Sequence, residues 1–378
     1  MVENLLIIHN KYLNFGGEDS NYYLEVENLS QNYNVIEFSI KNSVKINLKD
    51  IINIFQLSNR RINKEIKRLI IANNIQHVYV HNTWYKLNLG IFKLLNTLNL
   101  NVILKIHNFR FDCIESNHFR KGKVCHDCSI DNRLPGIKNR CYKQSFFKSL
   151  LITRYSKKYF KIIKSMPLKI FVFSSFHKNY LISLGVDEEK IKIQPNFIRI
   201  EKKENKYNQE SDYATLIGRI EKGKGIEALI EQFLDSQYKK LTLFVIGDGE
   251  LRFSLEKKFK KYDNIKFLGQ ISTTNVNLLL KNAKFNLFGS LMYEGQPMVL
   301  MEASSLFIPT IVPINGGIKE YFPPEYKLFF ELNNLKSLKK LLDLLNDNLL
   351  LESSRQLSEF ISKNYSYKSM IEKFKKNI

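Results

Sequence analysis

Two carboxylates with seven residues between them, Glu294 and Glu302, stand in the stretch MYEGQPMVLMEASSLFIPT over residues 292–310. Proline favours the first turn of a helix. The stretch therefore predicts a strand end over 285–290, a loop over 291–296 and a helix over 297–306. Glu294 then sits on the loop, and Glu302 inside the helix, its side chain leaning back toward the helix N-terminus. Both can face one ligand lying over the helix start, which is itself a ready anion site. A ligand with a phosphate at the helix start and hydroxyls for the two carboxylates fits this layout. A nucleotide sugar is such a ligand.

A framework must hold that loop and helix in place. The first half predicts strands over 5–9, 35–40, 77–81, 102–107, 169–174 and 190–194, with helices over 19–30, 63–72, 87–98, 143–165 and 176–184. The polar run EKKENKYNQESDY, residues 201–213, is the best domain boundary. Beyond it the alternation restarts. Strands are expected over 214–218, 241–247, 265–268, 285–288 and 310–312, and helices over 226–234, 250–261, 275–281, 297–306, 335–346 and 367–376. Such alternation is the mark of parallel sheets with crossover helices. The fold class expected is α/β, with two doubly wound, Rossmann-like domains facing across a cleft. Ligands of such sheets bind at the carboxyl ends of the strands. The glycines Gly16-Gly17, Gly218, Gly247 and Gly316-Gly317 all fall at such ends. Asp248, in the GDGE loop, reads as turn chemistry.

The chain has 378 residues, too many for one comfortable core. Hydrophobic content of 44% and charged content of 25% are those of a soluble globular protein. The opening MVENLLIIHNKYLNFGG lacks a basic leader and its apolar run is short, so it reads as a first strand and not a signal peptide. No run approaches the roughly 18 apolar residues that span a membrane. Four cysteines without a secretory signal point to a reducing compartment, and the cytoplasm is the expected location. The net charge of +21 concerns partners rather than fold. Part of it follows from a composition heavy in Lys, Asn and Ile.

At this point the motifs resemble a known family. In order along the chain stand FGGEDSNYYLEVENL, KIHNFR, FSSFHKNYLISLGVDEEKIKIQPNFI, LIGRIEKGKGIEALI, VIGDGELRFSLE, FLGQIS, the E-x7-E motif and INGGIKEYF. Together they are similar to the retaining family-4 glycosyltransferases, of the GT-B fold. The resemblance implies an N-terminal acceptor-binding domain over 1–200, a nucleotide-sugar-binding domain over 201–360, and a terminal helix over 361–378 that packs back on the first domain. It implies that Arg219 and Lys224 contact the donor diphosphate, as a planar fork and a point charge, offsetting leaving-group charge. Glu302 would accept hydrogen bonds from the ribose, and Glu294 would hold hydroxyls of the sugar. His107 would lie beside the transferred sugar. Backbone at Gly16, Gly17 and Gly218, and at Gly295, Gln296, Pro297, Met298 and Val299, would face phosphates or sugar. Glu294, His107, Arg219 and Lys224 are thus the expected catalytic set. No catalytic metal is expected, and the anomeric configuration would be retained by a front-face route. UDP is the expected nucleotide. Two departures from the family pattern are Ile308, where glycine is common, and Gly289, where proline is.

One insert stands apart. Cys113, Cys125, Cys128 and Cys141 follow His107, with Cys125 and Cys128 forming a Cys-x2-Cys knuckle. Such a set can close a structural zinc site, with His118 and His126 as alternative ligands. The insert, at about 108–145, resembles a block in polysaccharide-assembling members of the family. It points to a saccharide or lipid-linked acceptor in bacterial capsule, O-antigen (lipopolysaccharide) or exopolysaccharide synthesis. The basic stretches NRRINKEIKR and KQSFFKSLLITRYSKKYFKIIKSMPLK suit an anionic membrane surface, so peripheral docking on the inner face of the cell membrane is expected. The competing readings are a non-catalytic nucleotide-sugar binder, an epimerase of similar fold, and a basic zinc-knuckle nucleic-acid binder. Charge spread along the whole chain, and no nucleic-acid module, weigh against the last.

Overall fold

The computed structural model describes residues 2–13, 16–43, 48–199, 207–332, 334 and 336–378. It divides into two units. One comprises Met1–His118, Cys125–Pro195 and Ile371–Ile378; the other comprises Phe119–Val124 and Asn196–Met370.

The first unit opens with β1 (Asn4–Lys11), α1 (Gly17–Leu29), β2 (Asn34–Lys41), α2 (Leu48–Gln56), α3 (Arg60–Ala72), β3 (His77–Asn82), α4 (Gly90–Thr97) and β4 (Asn101–Lys105). An antiparallel hairpin follows, β5 (Phe119–Arg120) and β6 (Lys123–Val124), which belongs to the second unit. The first unit resumes with α5 (Leu134–Lys138), α6 (Phe146–Ser165), β7 (Lys169–Val172), α7 (Ser175–Ser183) and β8 (Ile191–Ile193). Its strands form one parallel sheet in the order β2-β1-β3-β4-β7-β8. A parallel sheet covered on both faces needs continuous apolar strands rather than alternating ones. Leu5, Leu6, Ile7 and Ile8 meet that need, all fully buried in succession. Side-chain oxygens start the helices: Asn59 caps α3, Ser145 caps α6 and Ser174 caps α7. Phe374, near the C-terminus, lies against Tyr33, Tyr79 and Phe171 in the core of this unit.

The second unit runs β9 (Tyr213–Ile217), α8 (Ile226–Leu234), β10 (Thr242–Ile246), α9 (Arg252–Phe259), β11 (Ile265–Gly269), α10 (Thr273–Lys281), β12 (Asn286–Leu287), α11 (Met298–Ser305), β13 (Thr310–Ile314), β14 (Phe329–Glu331), α12 (Lys336–Leu344), α13 (Asp347–Asn364) and α14 (Tyr367–Asn377), the last seven residues of α14 counting with the first unit. Its parallel sheet has the order β11-β10-β9-β12-β13-β14. Numbered within the unit this is 3-2-1-4-5-6, the Rossmann order, whose ligand crevice opens where the order reverses. That point lies between β9 and β12, and between β1 and β3 in the first unit.

The sequence expectations omit α2, α5, the hairpin, β14 and α13. Of the expected polar boundary, residues 201–206 lie outside the described residues, and Tyr207 just beyond them is buried. The helix expected to begin with Pro297 begins one residue later. Pro297 is its N-cap, with ψ 112°.

Candidate functional site

The second unit builds its site where β9 and β12 end. After β9 the chain passes through Gly218 and Arg219 into a tight turn at Lys222–Lys224, and Gly225 turns it into α8 with φ +62°. A left-handed φ of this kind suits glycine. The loop after β12 lies close against this turn: a Cβ on Gly289 would stand 2.4 Å from the Lys224 carbonyl. That closeness gives Gly289 its physical reason where the family pattern has proline. It also seats the Lys224 side chain, whose ammonium bonds the Glu294 carboxylate and lies 5.7 Å from the centre of the Phe288 ring. Ser290 Oγ donates to the same oxygen, Glu294 Oε1, at 2.6 Å. Among the described residues, Glu294 Oε2 has no bonded partner.

The loop carrying Glu294 is fixed from below. Asn315 Nδ2 donates to the carbonyls of Ser290 (3.2 Å) and Met292 (2.9 Å), and the Tyr321 hydroxyl donates to the Gly295 carbonyl at 2.6 Å. Gln296 is locked to the Asn196 backbone, accepting from its N–H at 2.6 Å and donating to its carbonyl at 3.1 Å. The start of α11 has no side-chain cap, so the N–H groups of Met298 and Val299 are those available to an anion. Glu302, on the same helix, is half-buried, and burial lifts its carboxyl above the usual carboxylate range. Arg219 is largely exposed and forks onto Glu221, with both contacts at 3.2 Å.

In the first unit, β1 ends and α1 begins around Gly16 and Gly17. A Cβ on either would meet no atom of the described residues within 4 Å, which leaves the backbone here room for a ligand. Asp19 closes the turn behind it, accepting from Gly16 N at 3.2 Å and contacting His9 Nε2 at 2.8 Å. Tyr12 donates to Glu18 at 2.9 Å, and burial pushes the Glu18 carboxyl up to about 7. His107, half-buried just past β4, places its Nε2 3.2 Å from Nδ1 of buried His81. Burial, and then His81, hold the His107 pKa well below its ordinary value. Behind His81 lie Glu25 and Lys105, a fully buried ion pair.

Of the residues expected from sequence, the structure thus joins Lys224 directly to Glu294 and sets the start of α11 beyond them. Among the described residues no bond links Glu294 to Glu302. Gly16, Gly17 and His107 are carried by the first unit. Ser290, Asn315, Tyr321 and Asn196 escaped the sequence reading; for Asn315 the signal was its place before Gly316-Gly317. The expected zinc set is not assembled. Among the described residues no three His, Cys, Asp or Glu side chains converge as a metal set, and none of the four cysteines forms a disulfide. Burial pushes the Cys113 thiol up to about 11 and raises that of Cys128.

Comparison with known proteins agrees with this geometry. Residues 197–364 match the family described as glycosyl transferases group 1. An O-antigen biosynthesis glycosyltransferase of Escherichia coli, WbnH, is 30% identical over 151 residues, 39% of this chain and 42% of that protein. The chain spans about half the length of the first curated relatives it matches, 48% and 42%. Among solved structures, a sucrose-phosphate synthase from Thermosynechococcus elongatus superposes with TM-score 0.70 at 14% identity, covering 99% of this chain and 98% of that one. HepE of Anabaena, solved in complex with UDP and glucose, gives TM-score 0.65 at 12% identity over 99% and 98%. The fold is that of the GT-B glycosyltransferases, and residues 197–364 are similar to the group 1 glycosyl transferases.

Proposed function

We propose that this chain is a retaining glycosyltransferase of family 4 that moves a sugar from a UDP-sugar to a saccharide or lipid-linked saccharide of a bacterial surface polysaccharide. The observation that carries the reading is the Lys224–Glu294 pair at the strand-order reversal of a unit similar to the group 1 glycosyl transferases, beside the uncapped start of α11. The donor diphosphate would lie against Lys224, Arg219 and the N–H groups of Met298 and Val299. Glu294 Oε2 would accept from hydroxyls of the sugar, since a carboxylate holds about four acceptor sites and Lys224 and Ser290 use only Oε1. Ribose hydroxyls would supply the donors that Glu302 lacks. In the reaction, the bond from the anomeric carbon to the phosphate oxygen breaks and its electron pair leaves with the phosphate. The acceptor oxygen bonds the same carbon on the same face, and its proton passes to a leaving-phosphate oxygen. Lys224 and Arg219 stabilise the charge that develops on that group. This route uses no metal.

UDP is preferred on the strength of the bound HepE structure, and O-antigen on that of the Escherichia coli relative. The test is a thermal-shift and donor-hydrolysis panel of nucleotide sugars with the purified chain. A rise in melting temperature with one nucleoside diphosphate and slow release of free nucleotide, lost in Lys224→Met, are expected. No shift and no release with any donor would overturn the reading.

The same reading places the first unit against an anionic membrane. Ile51, Ile52 and Phe55 of α2 and Phe146, Phe147 and Leu150 of α6 are exposed, and Arg154 of α6 lies 5.0 Å from the Phe55 ring centre, so the two helices present one surface. Farther along α6 the exposed residues are Lys157, Lys158, Lys161, Lys164 and Ser165, and the helix has no acidic residue. Apolar side chains for the acyl boundary beside lysines for anionic headgroups are what an interfacial helix needs. No described helix is long and apolar enough to cross a membrane. Flotation with anionic vesicles is expected, and is weakened in Phe147→Asp/Leu150→Asp. Failure to float with either anionic or neutral vesicles would end this part of the reading.

A further inference from the structure

We propose that Glu25 and His81 fix the ring proton of His107 on Nε2, so that His107 meets its ligand through Nδ1 as an obligatory hydrogen-bond acceptor. The chain of contacts starts at a buried charge. Lys105, at the end of β4, bonds Glu25 Oε1, and both side chains are essentially inaccessible, at 0% and 2%. Glu25 Oε2 lies 3.3 Å from His81 Nε2. Among the described residues both atoms are buried and neither makes a hydrogen bond of ordinary geometry; the Tyr79 hydroxyl also faces the Glu25 carboxylate. A carboxylate held by an ammonium can only accept, so the His81 nitrogen facing it must carry a proton.

Burial pushes the His81 pKa down to about 4, so the ring is neutral near pH 7. A neutral imidazole with its proton on Nε2 has a lone pair on Nδ1. That lone pair faces His107 Nε2 at 3.2 Å, with the two rings 28° from parallel. His107 Nε2 must then be the donor, and its own Nδ1 the acceptor. Among the described residues His107 Nδ1 has no protein partner, and the ring is half-buried. The other groups around His81 do not reverse this order. Tyr79 meets it ring to ring at 4.5 Å and turns its hydroxyl to Glu25, to which it can only donate, and His9 stands edge-on at 6.0 Å with its Nε2 taken by Asp19.

The consequence rests on the glycosyltransferase reading above. A histidine presenting only a lone pair selects a hydroxyl donor, such as a sugar hydroxyl, and does not itself hydrogen-bond a phosphate oxygen. Glu25 and His81 are positioning residues in this scheme, acting through His107 without touching substrate.

The experiment is long-range 1H–15N correlation on the full chain labelled with 15N-histidine, without nucleotide, at pH 7.5, with His107→Asn assigning the signals. The expected pattern for His107 is a protonated Nε2 and an unprotonated Nδ1. The double variant Glu25→Gln/Lys105→Met removes the two buried charges together, so that neither is stranded. Its amide can donate as well as accept, and His107 should lose its single tautomer. A wild-type His107 protonated on Nδ1 would overturn the proposal, as would a folded double variant that keeps the wild-type pattern. Because no donor is present, the tautomer is decided independently of activity. The expected pattern in a chain with no donor hydrolysis would sink the functional reading and leave the relay standing.

Discussion

Replacing Lys224 by Met separates a structural bridge from a phosphate ligand. Lys224 and Glu294 are 11% and 16% exposed at their side chains, and their pairing is supported by Ser290 on the carboxylate and Phe288 on the ammonium. Methionine keeps the apolar stem against Phe288, so no cavity opens. What is lost is a charge-assisted bond, about 1.5–3 kcal/mol. What is regained is the cost of holding an ammonium out of water, of similar or larger size. Glu294 keeps its bond from Ser290 and an Oε2 within reach of solvent, so the two terms nearly cancel, and Lys224→Met should change stability by no more than ~1 kcal/mol, about 2–4 °C in melting temperature for a unit of this size. Glu294→Ala differs, because it strands the ammonium with no acceptor. Its cost should reach about 2 kcal/mol or more, roughly 4–8 °C. Turnover should run the other way for Lys224. Removing one preorganised partner of a developing anion costs about 100- to 1,000-fold, or ~2.7–4 kcal/mol. Thermal melts of both variants, with and without nucleoside diphosphate, and initial rates of donor hydrolysis give all the numbers. If Lys224→Met melts as early as Glu294→Ala, or turns over donor within tenfold of wild type, then Lys224 is a structural bridge and the diphosphate reading fails.

Further expectations follow from burial and backbone geometry. Because burial raises the folded-state pKa of Glu302 above its unfolded value near 4.5, the folded chain binds that proton more tightly. The stability it contributes is present below that value and is lost as pH rises through the folded pKa. Glu302→Gln should therefore melt above wild type at pH 7.5, with the gap closing toward pH 4.5, while its affinity for UDP falls; equal gaps at both pH values would contradict this. Gly17→Ala meets no neighbouring atom and lies in a helix first turn, so its melting temperature should stay within about 2 °C of wild type. Its donor turnover should still drop if ligand backs onto that turn. Gly247→Ala sets a Cβ 2.0 Å from the Gly218 carbonyl at φ +138°, and should cost at least ~2–3 kcal/mol in chemical denaturation, against near zero for Gly17→Ala. Lys105→Met leaves the Glu25 carboxylate buried with no cation beside it, and should cost about 3–5 kcal/mol whether or not nucleotide is present.

The strands and most crossover helices were legible because a parallel sheet writes itself as apolar runs between glycine loops, as with Leu5–Ile8 ending toward Gly16. What escaped has identifiable reasons. Asn346 reads as the end of one helix, yet its side chain accepts from Leu349 N and opens the next, α13, whose buried face holds Leu350, Leu357 and Ile361. A residue that can stop one helix can also start another, and only the packing decides. The cysteine spacing allowed a zinc set, but spacing says nothing of where the sulfurs point. The E-x7-E motif marked a loop and a helix, α11, that the structure also has. It could not reveal that Glu294 is bonded to Lys224, 70 residues earlier in the chain, because such pairing is a property of the sheet order.

That pairing has a counterpart in the first unit, and the difference between the two is one of access. Glu25–Lys105 and Glu294–Lys224 are both carboxylate–ammonium pairs, one between α1 and the end of β4, the other between the loops that follow β9 and β12. At 0% and 2% exposure the first pair can meet no ligand. The oxygen it leaves over faces inward, to His81, and so its charge can be felt outside only through the proton position of His107. At 11% and 16% the second pair is within reach of solvent, and its spare oxygen, Glu294 Oε2, is open to a ligand. The same ionic chemistry thus orders a neutral ring in one unit and offers a charged contact in the other. On the diphosphate reading proposed above, Glu294 would be matched to Lys224 before the ligand arrives. The anion would then meet Arg219 and the N–H groups at the start of α11, with Lys224 already aimed, and repulsion from Glu294 would be screened by the lysine it holds.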